Sequence, residues 1–152
     1  MRAVAYSIRS FEKEPLAKAN HKKHDITLIS NPLGLETAAY AAGKEAVIIS
    51  KDDYVSETVM KRLADLGIRL ISVRSETADN VDKVAAANFN INILTVPVPT
   101  DIPVTGPEFI INQLTIAVNT IRNLDSWQDK KSDFPINSLG TPATGFLSTD
   151  IS

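Results

Sequence analysis

The chain has 152 residues, of which 43% are hydrophobic and 22% are charged, as is typical of one globular domain with a buried core. The 16 Lys and Arg residues against 18 Asp and Glu give a net charge of -2, which excludes a general attraction to nucleic acid or to an anionic membrane. The chain contains no cysteine, which excludes disulfides and thiol nucleophiles, and no signal-like apolar segment, so we expect a cytoplasmic protein.

Five short apolar runs predict five β-strands, at residues 3–8, 26–29, 46–49, 68–73 and 91–96. The segments between them predict helices, at residues 16–20, 35–42, 56–66 and 84–87, and the run SIRSFEKEP at residues 7–15 is predicted to supply the start of the first one. Gly43 and Gly67 are in C-cap positions, and Asp79 and Asp82 are in N-cap positions. This alternation predicts a flavodoxin-like three-layer α/β sandwich with a parallel sheet of order 2-1-3-4-5 and helices on both faces.

A longer helix is predicted to begin at Glu108 and to end at Leu124, after a proline-rich linker. Its main apolar stripe is expected to pack on the sheet and consists of Ile110, Leu114, Ala117, Ile121 and Leu124. Because apolar residues also cover a second face of this helix, we expect a homodimer formed through residues 108–124.

The predicted organisation is one α/β domain over residues 1–128, made of residues 1–99 and the returning helix 108–124. Residues 129–152 are rich in Ser, Thr, Pro and Gly and predict an extended tail, with Phe134 and Phe146 as its apolar anchors.

Several kinds of chemistry have no support in the sequence. It contains no G-x-G-x-x-G turn for a dinucleotide, no phosphate-binding loop and no G-x-S-x-G elbow. His21 and His24 are close enough in sequence to share a metal, but no Cys or further carboxylate converges on them, so both are expected to be solvated.

One cluster of charged residues remains as a candidate functional site. In the predicted strand order, the carboxyl ends of strands one, three and four are neighbours, which brings Arg9, Lys51 and Arg74 to one rim. Such cations could hold a small carboxylate. The alternative is that nearby carboxylates neutralise them locally, namely Glu12, Asp52, Asp53, Glu76 and Asp79.

The sequence resembles the D-isomer-specific 2-hydroxyacid dehydrogenases, especially their D-lactate dehydrogenase-like branch. The resemblance lies in VAYSIRSFEKE, HDITLISNPLGLETAAYAAGKEAVII, LADLGIRLISVRSETADNVDKVAAAN and INILTVPVP, which together span most of the first 99 residues. The later run PEFIINQLTIAVNTIRNLDSWQDKK is similar to the C-terminal helix of the family's substrate domain.

The resemblance implies that the nucleotide-binding half is absent. In the family that half holds NAD and the catalytic arginine, glutamate and histidine, so no cofactor and no catalytic residue is assigned here. The retained substrate domain implies a carboxylate-binding loop at Arg74, Ser75, Glu76 and Thr77. Thr77 stands where the family has glycine, Glu76 adds a negative charge, and Pro99 replaces a tyrosine.

Three functional hypotheses follow. The first is a non-catalytic, stand-alone relative of the substrate domain, which acts as a dimeric binding or regulatory module for a small 2-oxo or 2-hydroxy carboxylate. The second is a component of an NAD-dependent oxidoreductase that acts on 2-hydroxy acids, with the nucleotide domain supplied by another chain. The third is a purely structural dimer.

Overall fold

The computed structural model describes residues 1–98 and 104–132, and side chains as far as Lys130. Five parallel strands form one sheet in the order β2-β1-β3-β4-β5, which confirms the predicted topology. The strands are β1 (Arg2–Ala5), β2 (Asp25–Leu28), β3 (Ala46–Ser50), β4 (Leu70–Arg74) and β5 (Asn92–Thr95).

The central strands are buried on both faces, whereas the edge strands are not. Residues 46–49 of β3 are all inaccessible to solvent, as expected of an apolar run in the middle of a parallel sheet. In the register, Ala5 of β1 pairs with Ile48 of β3, and Ser50 of β3 pairs with Arg74 of β4. The carboxyl ends of β3 and β4 therefore lie side by side.

Helices cover both faces of the sheet. They are α1 (Ser10–Asn20), α2 (Glu57–Asp65), α3 (Lys83–Asn88) and α4 (Gly106–Ser132), with a short 3₁₀ helix at Thr37–Ala41. One core lies between the sheet and α1 with α4, and the other between the sheet and α2, α3 and the 3₁₀ helix. No helix within the described residues is long and apolar enough to cross a membrane.

The helix starts agree partly with the prediction. Asp82 is the N-cap of α3, since its carboxylate accepts the Ala85 N–H at 2.9 Å. Asp79 is not a cap, because its carboxylate accepts a hydrogen bond from the Thr77 hydroxyl. Helix α1 begins at Ser10, within the segment 7–15 predicted to supply its start, and the Glu12 carboxylate accepts the Arg9 N–H there.

The alanine-rich segment after β2 forms a 3₁₀ helix at Thr37–Ala41 rather than the α-helix predicted over residues 35–42. Ala38 and Ala41 are both fully buried. A 3₁₀ helix has three residues per turn, so it places these two alanines on the same face.

Helix α4 continues to Ser132, so the extended tail predicted from residue 129 is wrong for residues 129–132. The added turns are held by long-range contacts that local sequence patterns do not reveal. Trp127 donates its indole N–H to Glu45 at 3.2 Å, and Asp125 accepts from His24. The rest of the predicted tail, residues 133–152 with Phe134 and Phe146, lies outside the described residues, as does Pro99.

The apolar stripe of α4 packs on the sheet only over its second half. Ala117, Ile121 and Leu124 are buried as predicted, whereas Ile110 and Leu114 are exposed. In the same part of α4, Gln113 and Ile116 line a crevice at the strand ends, and the Phe109 ring packs against the Phe11 ring with their centres 5.3 Å apart. Ile110, Ile111 and Leu114 stay exposed, so the apolar surface of these first turns is covered only in part by the described residues.

Two isoleucines of this stripe allow a direct test of the packing. Ile121 is 4% exposed and Ile110 is 65% exposed. We expect Ile121→Ala to lower the free energy of unfolding by about 2 kcal/mol through lost burial and a residual cavity, and Ile110→Ala to change it by less than about 0.5 kcal/mol. Urea unfolding of both variants measures the difference, and equal losses would contradict the packing described here.

The expectation that both histidines are solvated is wrong for His24, whose side chain is fully buried. Its Nε2 lies 2.7 Å from Asp125 Oδ1 in α4, and its Nδ1 lies 3.2 Å from the amino group of Met1. Burial of Asp125 acts to raise its pKa, but hydrogen bonds from His24 and Lys23 outweigh burial and lower the pKa below its usual value. His24 therefore joins α4 to the start of β2.

Candidate functional site

A crevice of about 820 Å³ opens at the carboxyl ends of β1, β3 and β4. Ligands of open α/β sheets bind at this edge, because the loops that follow neighbouring strands converge there. The crevice is lined by Ser7, Arg9, Phe11, Glu12, Ser50, Lys51, Asp52, Arg74, Ser75, Glu76, Thr77, Val98, Gln113 and Ile116.

The structure brings all six predicted site residues to this crevice. Arg9 follows β1, Lys51 follows β3, and the loop of Arg74, Ser75, Glu76 and Thr77 ends β4. The strand order therefore places the three cations on three adjacent strand ends. That these residues bind a ligand stays a prediction.

Arg74 is the buried group of the crevice, with a side chain that is only 9% exposed. Its Nε lies 3.3 Å from Glu12 Oε2, and its Nη2 donates to the carbonyl oxygens of Tyr6 at 3.2 Å and Ser7 at 3.4 Å. Its Nη1 is buried and has no hydrogen-bond partner among the described residues. Burial lowers the pKa of the guanidinium, and the Glu12 carboxylate opposes that shift.

Local neutralisation, the alternative to a ligand site, applies to only one cation of the rim. Glu12 pairs with Arg74, but within residues 1–98 and 104–130 Arg9 and Lys51 form no ion pair. Arg9 instead lies 6.0 Å from the centre of the Phe11 ring. Asp52 and Glu76 line the crevice without a cationic partner in the same part of the chain.

Asp53 supports the crevice from beneath rather than neutralising a cation. It is 1% exposed, and its carboxylate accepts from Ser7 Oγ at 2.8 Å, from the Leu33 N–H at 3.1 Å and from the Ser50 N–H at 2.9 Å. Ser7 and Leu33 belong to the segments that follow β1 and β2, and Ser50 is the last residue of β3. One carboxylate therefore joins three strand ends.

Ser7 has a backbone φ of +56°, a left-handed conformation that is unfavourable for a residue with a side chain. Three hydrogen bonds hold it there: its hydroxyl donates to Asp53, its N–H donates to Asn31, and its carbonyl accepts from Arg74. Such locally strained positions concentrate at functional sites.

Thr77, in the loop after β4, has a backbone conformation that a residue with a side chain readily adopts. Thr77 is not among the residues with positive φ, so its Cβ causes no backbone strain. The Thr77 N–H donates to Ser75 Oγ at 3.3 Å, and its hydroxyl donates to Asp79 at 3.0 Å. The backbone N–H of Thr77 therefore already donates a hydrogen bond within the loop.

Six residues that line the crevice had not been predicted from the sequence, namely Ser7, Phe11, Ser50, Val98, Gln113 and Ile116. Ser7 could have been found as the first polar residue after an apolar strand. Gln113 and Ile116 had no such signal, because their place depends on where α4 crosses the strand ends. Within the described residues no group of three or more His, Cys, Asp or Glu could hold a metal ion.

Comparison with known proteins places this geometry among dehydrogenase domains. The family model described as "D-isomer specific 2-hydroxyacid dehydrogenase, catalytic domain" matches residues 3–105. The chain is 39% identical over 101 residues to a D-lactate dehydrogenase of Leuconostoc mesenteroides, which covers 64% of the chain and 30% of that relative. It is 30% identical over 140 residues to a 2-hydroxyacid dehydrogenase homolog of Schizosaccharomyces pombe. That match covers 91% of this chain and 41% of the relative.

A solved structure shows the same relation. The apo form of D-lactate dehydrogenase from Escherichia coli superposes with a TM-score of 0.62 at 30% identity, over 64% of this chain and 31% of that one. The 152 residues therefore span between about 30% and 41% of the length of these curated relatives.

Proposed function

Because the chain belongs to the D-isomer-specific 2-hydroxyacid dehydrogenase family, we propose that these 152 residues form a binding module for a small 2-oxo or 2-hydroxy carboxylate, without catalytic activity of their own. The observation on which this proposal depends is the crevice at the strand ends, with cations on three neighbouring loops. The family model matches the domain that contains this crevice.

The three cations have different roles in the proposal. Arg74 is buried and already bonded to Glu12 and to two carbonyl groups, so it shapes the floor of the crevice. Arg9 and Lys51 are exposed and form no ion pair within the described residues, so they are free to meet an incoming carboxylate. An Arg can hold a carboxylate through two parallel hydrogen bonds, and a Lys adds a point charge.

The non-catalytic part of the proposal is supported by the composition of the 152 residues. Hydride transfer needs a nicotinamide, which the family binds in a separate half, and the sequence contains no G-x-G-x-x-G turn for it. No cofactor is therefore proposed for these 152 residues. Oxidation of NADH with pyruvate by the purified chain alone would contradict this part.

Calorimetric titration with pyruvate and with oxalate tests the binding part. We expect Lys51→Met to weaken pyruvate binding about fivefold, because it removes one exposed charge next to the carboxylate. The matched control is Lys61→Met, since Lys61 pairs with Asp65 on α2, away from the crevice. Absence of heat with both ligands, or equal effects of both variants, would overturn the proposal.

A dimer through α4 is part of the same proposal. Its support is the exposed apolar surface of the first turns, formed by Val104, Ile110, Ile111 and Leu114. We expect light scattering to give the mass of two chains, and Ile111→Glu to give that of one. Val84→Glu is the control, because Val84 is equally exposed but lies on α3. A monomeric unmodified chain at micromolar concentration would exclude the dimer.

The same exposed surface supports a second candidate, in which another chain supplies the nucleotide domain. The exposed apolar surface adjoins the crevice, since Gln113 and Ile116 of the same helix line the crevice. This candidate predicts a dehydrogenase activity that appears only after mixing with a Rossmann-type partner. A dimer that binds neither pyruvate nor oxalate would instead support a purely structural role.

A further inference from the structure

The charges that line the crevice are balanced. Among the described residues six charged side chains line it, three of each sign: Arg9, Lys51, Arg74, Glu12, Asp52 and Glu76. A site for a plain monocarboxylate gains affinity from an excess of positive charge, because each carboxylate nearby repels the ligand. The balance in this crevice therefore favours a carboxylate ligand that also carries a positive charge over one with a negative charge only.

Among the described residues, two of these six charged groups pair with each other and the other four do not. Glu12 and Arg74 neutralise each other in the floor of the crevice, where Glu12 Oε2 lies 3.3 Å from Arg74 Nε. Their side chains are 17% and 9% exposed. The remaining two cations, Arg9 and Lys51, and the remaining two carboxylates, Asp52 and Glu76, form no ion pairs among the described residues. Charges of both signs are thus available to a ligand in one crevice.

These groups lie on adjacent strand ends. Lys51 and Asp52 directly follow β3, and Glu76 lies two residues after β4. Ser50 and Arg74 are register partners, and neighbouring parallel strands are about 4.8 Å apart. A ligand of a few carbon atoms can therefore meet a cation of one loop and a carboxylate of the next.

The buried guanidinium of Arg74 is an independent sign of a ligand site. Its Nη1 has no hydrogen-bond partner among the described residues, although the rest of the side chain is fully engaged. A buried, unpartnered donor of a charged group is costly. Arg74 as a residue lines the crevice, so the side chain that carries this unpartnered donor lies at the site.

We propose that the ligand is a small zwitterion of the α-amino acid class, with its carboxylate near Arg9 and Lys51 and its ammonium group near Asp52 and Glu76. This inference deepens the proposed carboxylate binding and depends on it. It differs from that proposal in one respect, since it requires a positive charge on the ligand next to the carboxylate.

Alanine and pyruvate form a matched pair of probes, because they share three carbon atoms and a carboxylate and differ at C2 by an ammonium group against a keto oxygen. We expect calorimetry to show that L- or D-alanine binds about fivefold more tightly than pyruvate, the gain of one or two exposed ion pairs. Glu76→Gln is expected to lower alanine affinity to the level of pyruvate and to leave pyruvate affinity no weaker. Glu57→Gln, an exposed change on α2, is the control.

The outcomes separate the two proposals. Pyruvate binding with no advantage for either enantiomer of alanine overturns the zwitterion and leaves carboxylate binding intact. Binding of neither probe overturns both. An alanine advantage that persists in Asp52→Asn/Glu76→Gln also overturns the inference, because the ammonium group would then lie elsewhere. Glu76 and Asp52 are exposed, so circular dichroism should show that these variants fold.

Discussion

Replacement of Arg74 by Met is expected to lower the free energy of unfolding by about 4 kcal/mol, the largest effect of a single substitution that the crevice predicts. The change leaves the Glu12 carboxylate, only 17% exposed, without its cation. It also removes the donor to the carbonyl oxygens of Tyr6 and Ser7. Ser7 then loses one of the three hydrogen bonds that hold its left-handed backbone.

A double-mutant cycle with Glu12→Gln separates the ion pair from the other contacts. We expect the double variant Arg74→Met/Glu12→Gln to be more stable than Arg74→Met alone, because no unpaired carboxylate remains in the floor. Arg74→Lys should be intermediate, since an ammonium group cannot reach Glu12 and two carbonyl groups in the planar arrangement of a guanidinium. Urea unfolding of the unmodified chain and of the four variants measures these differences, and strictly additive losses of Arg74→Met and Glu12→Gln would contradict the coupling.

Asp53→Asn is expected to lower the free energy of unfolding by about 3 kcal/mol, although the two side chains have nearly the same shape. All three groups that face the Asp53 carboxylate are donors: Ser7 Oγ and the N–H groups of Leu33 and Ser50. An amide offers one oxygen and places its NH₂ against one or more of these donors. Since Asp53 joins the ends of β1, β3 and the segment after β2, the loss affects three elements together.

The neighbouring residue is a natural control for this prediction. Asp52→Asn removes the same charge at an exposed position, so its effect on stability should stay within about 0.5 kcal/mol. Thermal or urea unfolding of the two variants compares them directly. If Asp53→Asn proved as mild as Asp52→Asn, the carboxylate would not be the connection between strands that the structure indicates.

Much of the fold could be predicted from the sequence. Residues 46–49 are a short apolar run without polar interruption, and such a run suits only a strand covered on both faces. Alternation of such strands with helices restricts the connections to right-handed crossovers and therefore leaves few possible sheet orders. The observed order confirms the prediction, and it brings Arg9, Lys51 and Arg74 to one crevice as expected.

The sequence could not predict which charges pair within that crevice. Glu12 was one of five carboxylates considered for the neutral rim, and within the described residues it is the one that forms an ion pair there, with Arg74. Asp53 is next to Asp52 in sequence, yet one is buried and bonded to three strand ends while the other is exposed. The side chains of these two adjacent residues point in different directions. Local sequence patterns do not show which hydrogen-bond donors each carboxylate meets.

The amino-acid sequence by itself determined the strands, their order and the family, because apolar periodicity and the motifs of residues 1–99 are local properties of the chain. Only the tertiary structure decided the buried state of His24, the exposed first turns of α4 and the ion pair in the floor of the crevice. Each of these depends on contacts between segments far apart in sequence. The burial of a side chain and its ion pairs depend on where a helix crosses the sheet. The same apolar or charged residue is compatible with the core and with the surface, so the local sequence does not decide between them.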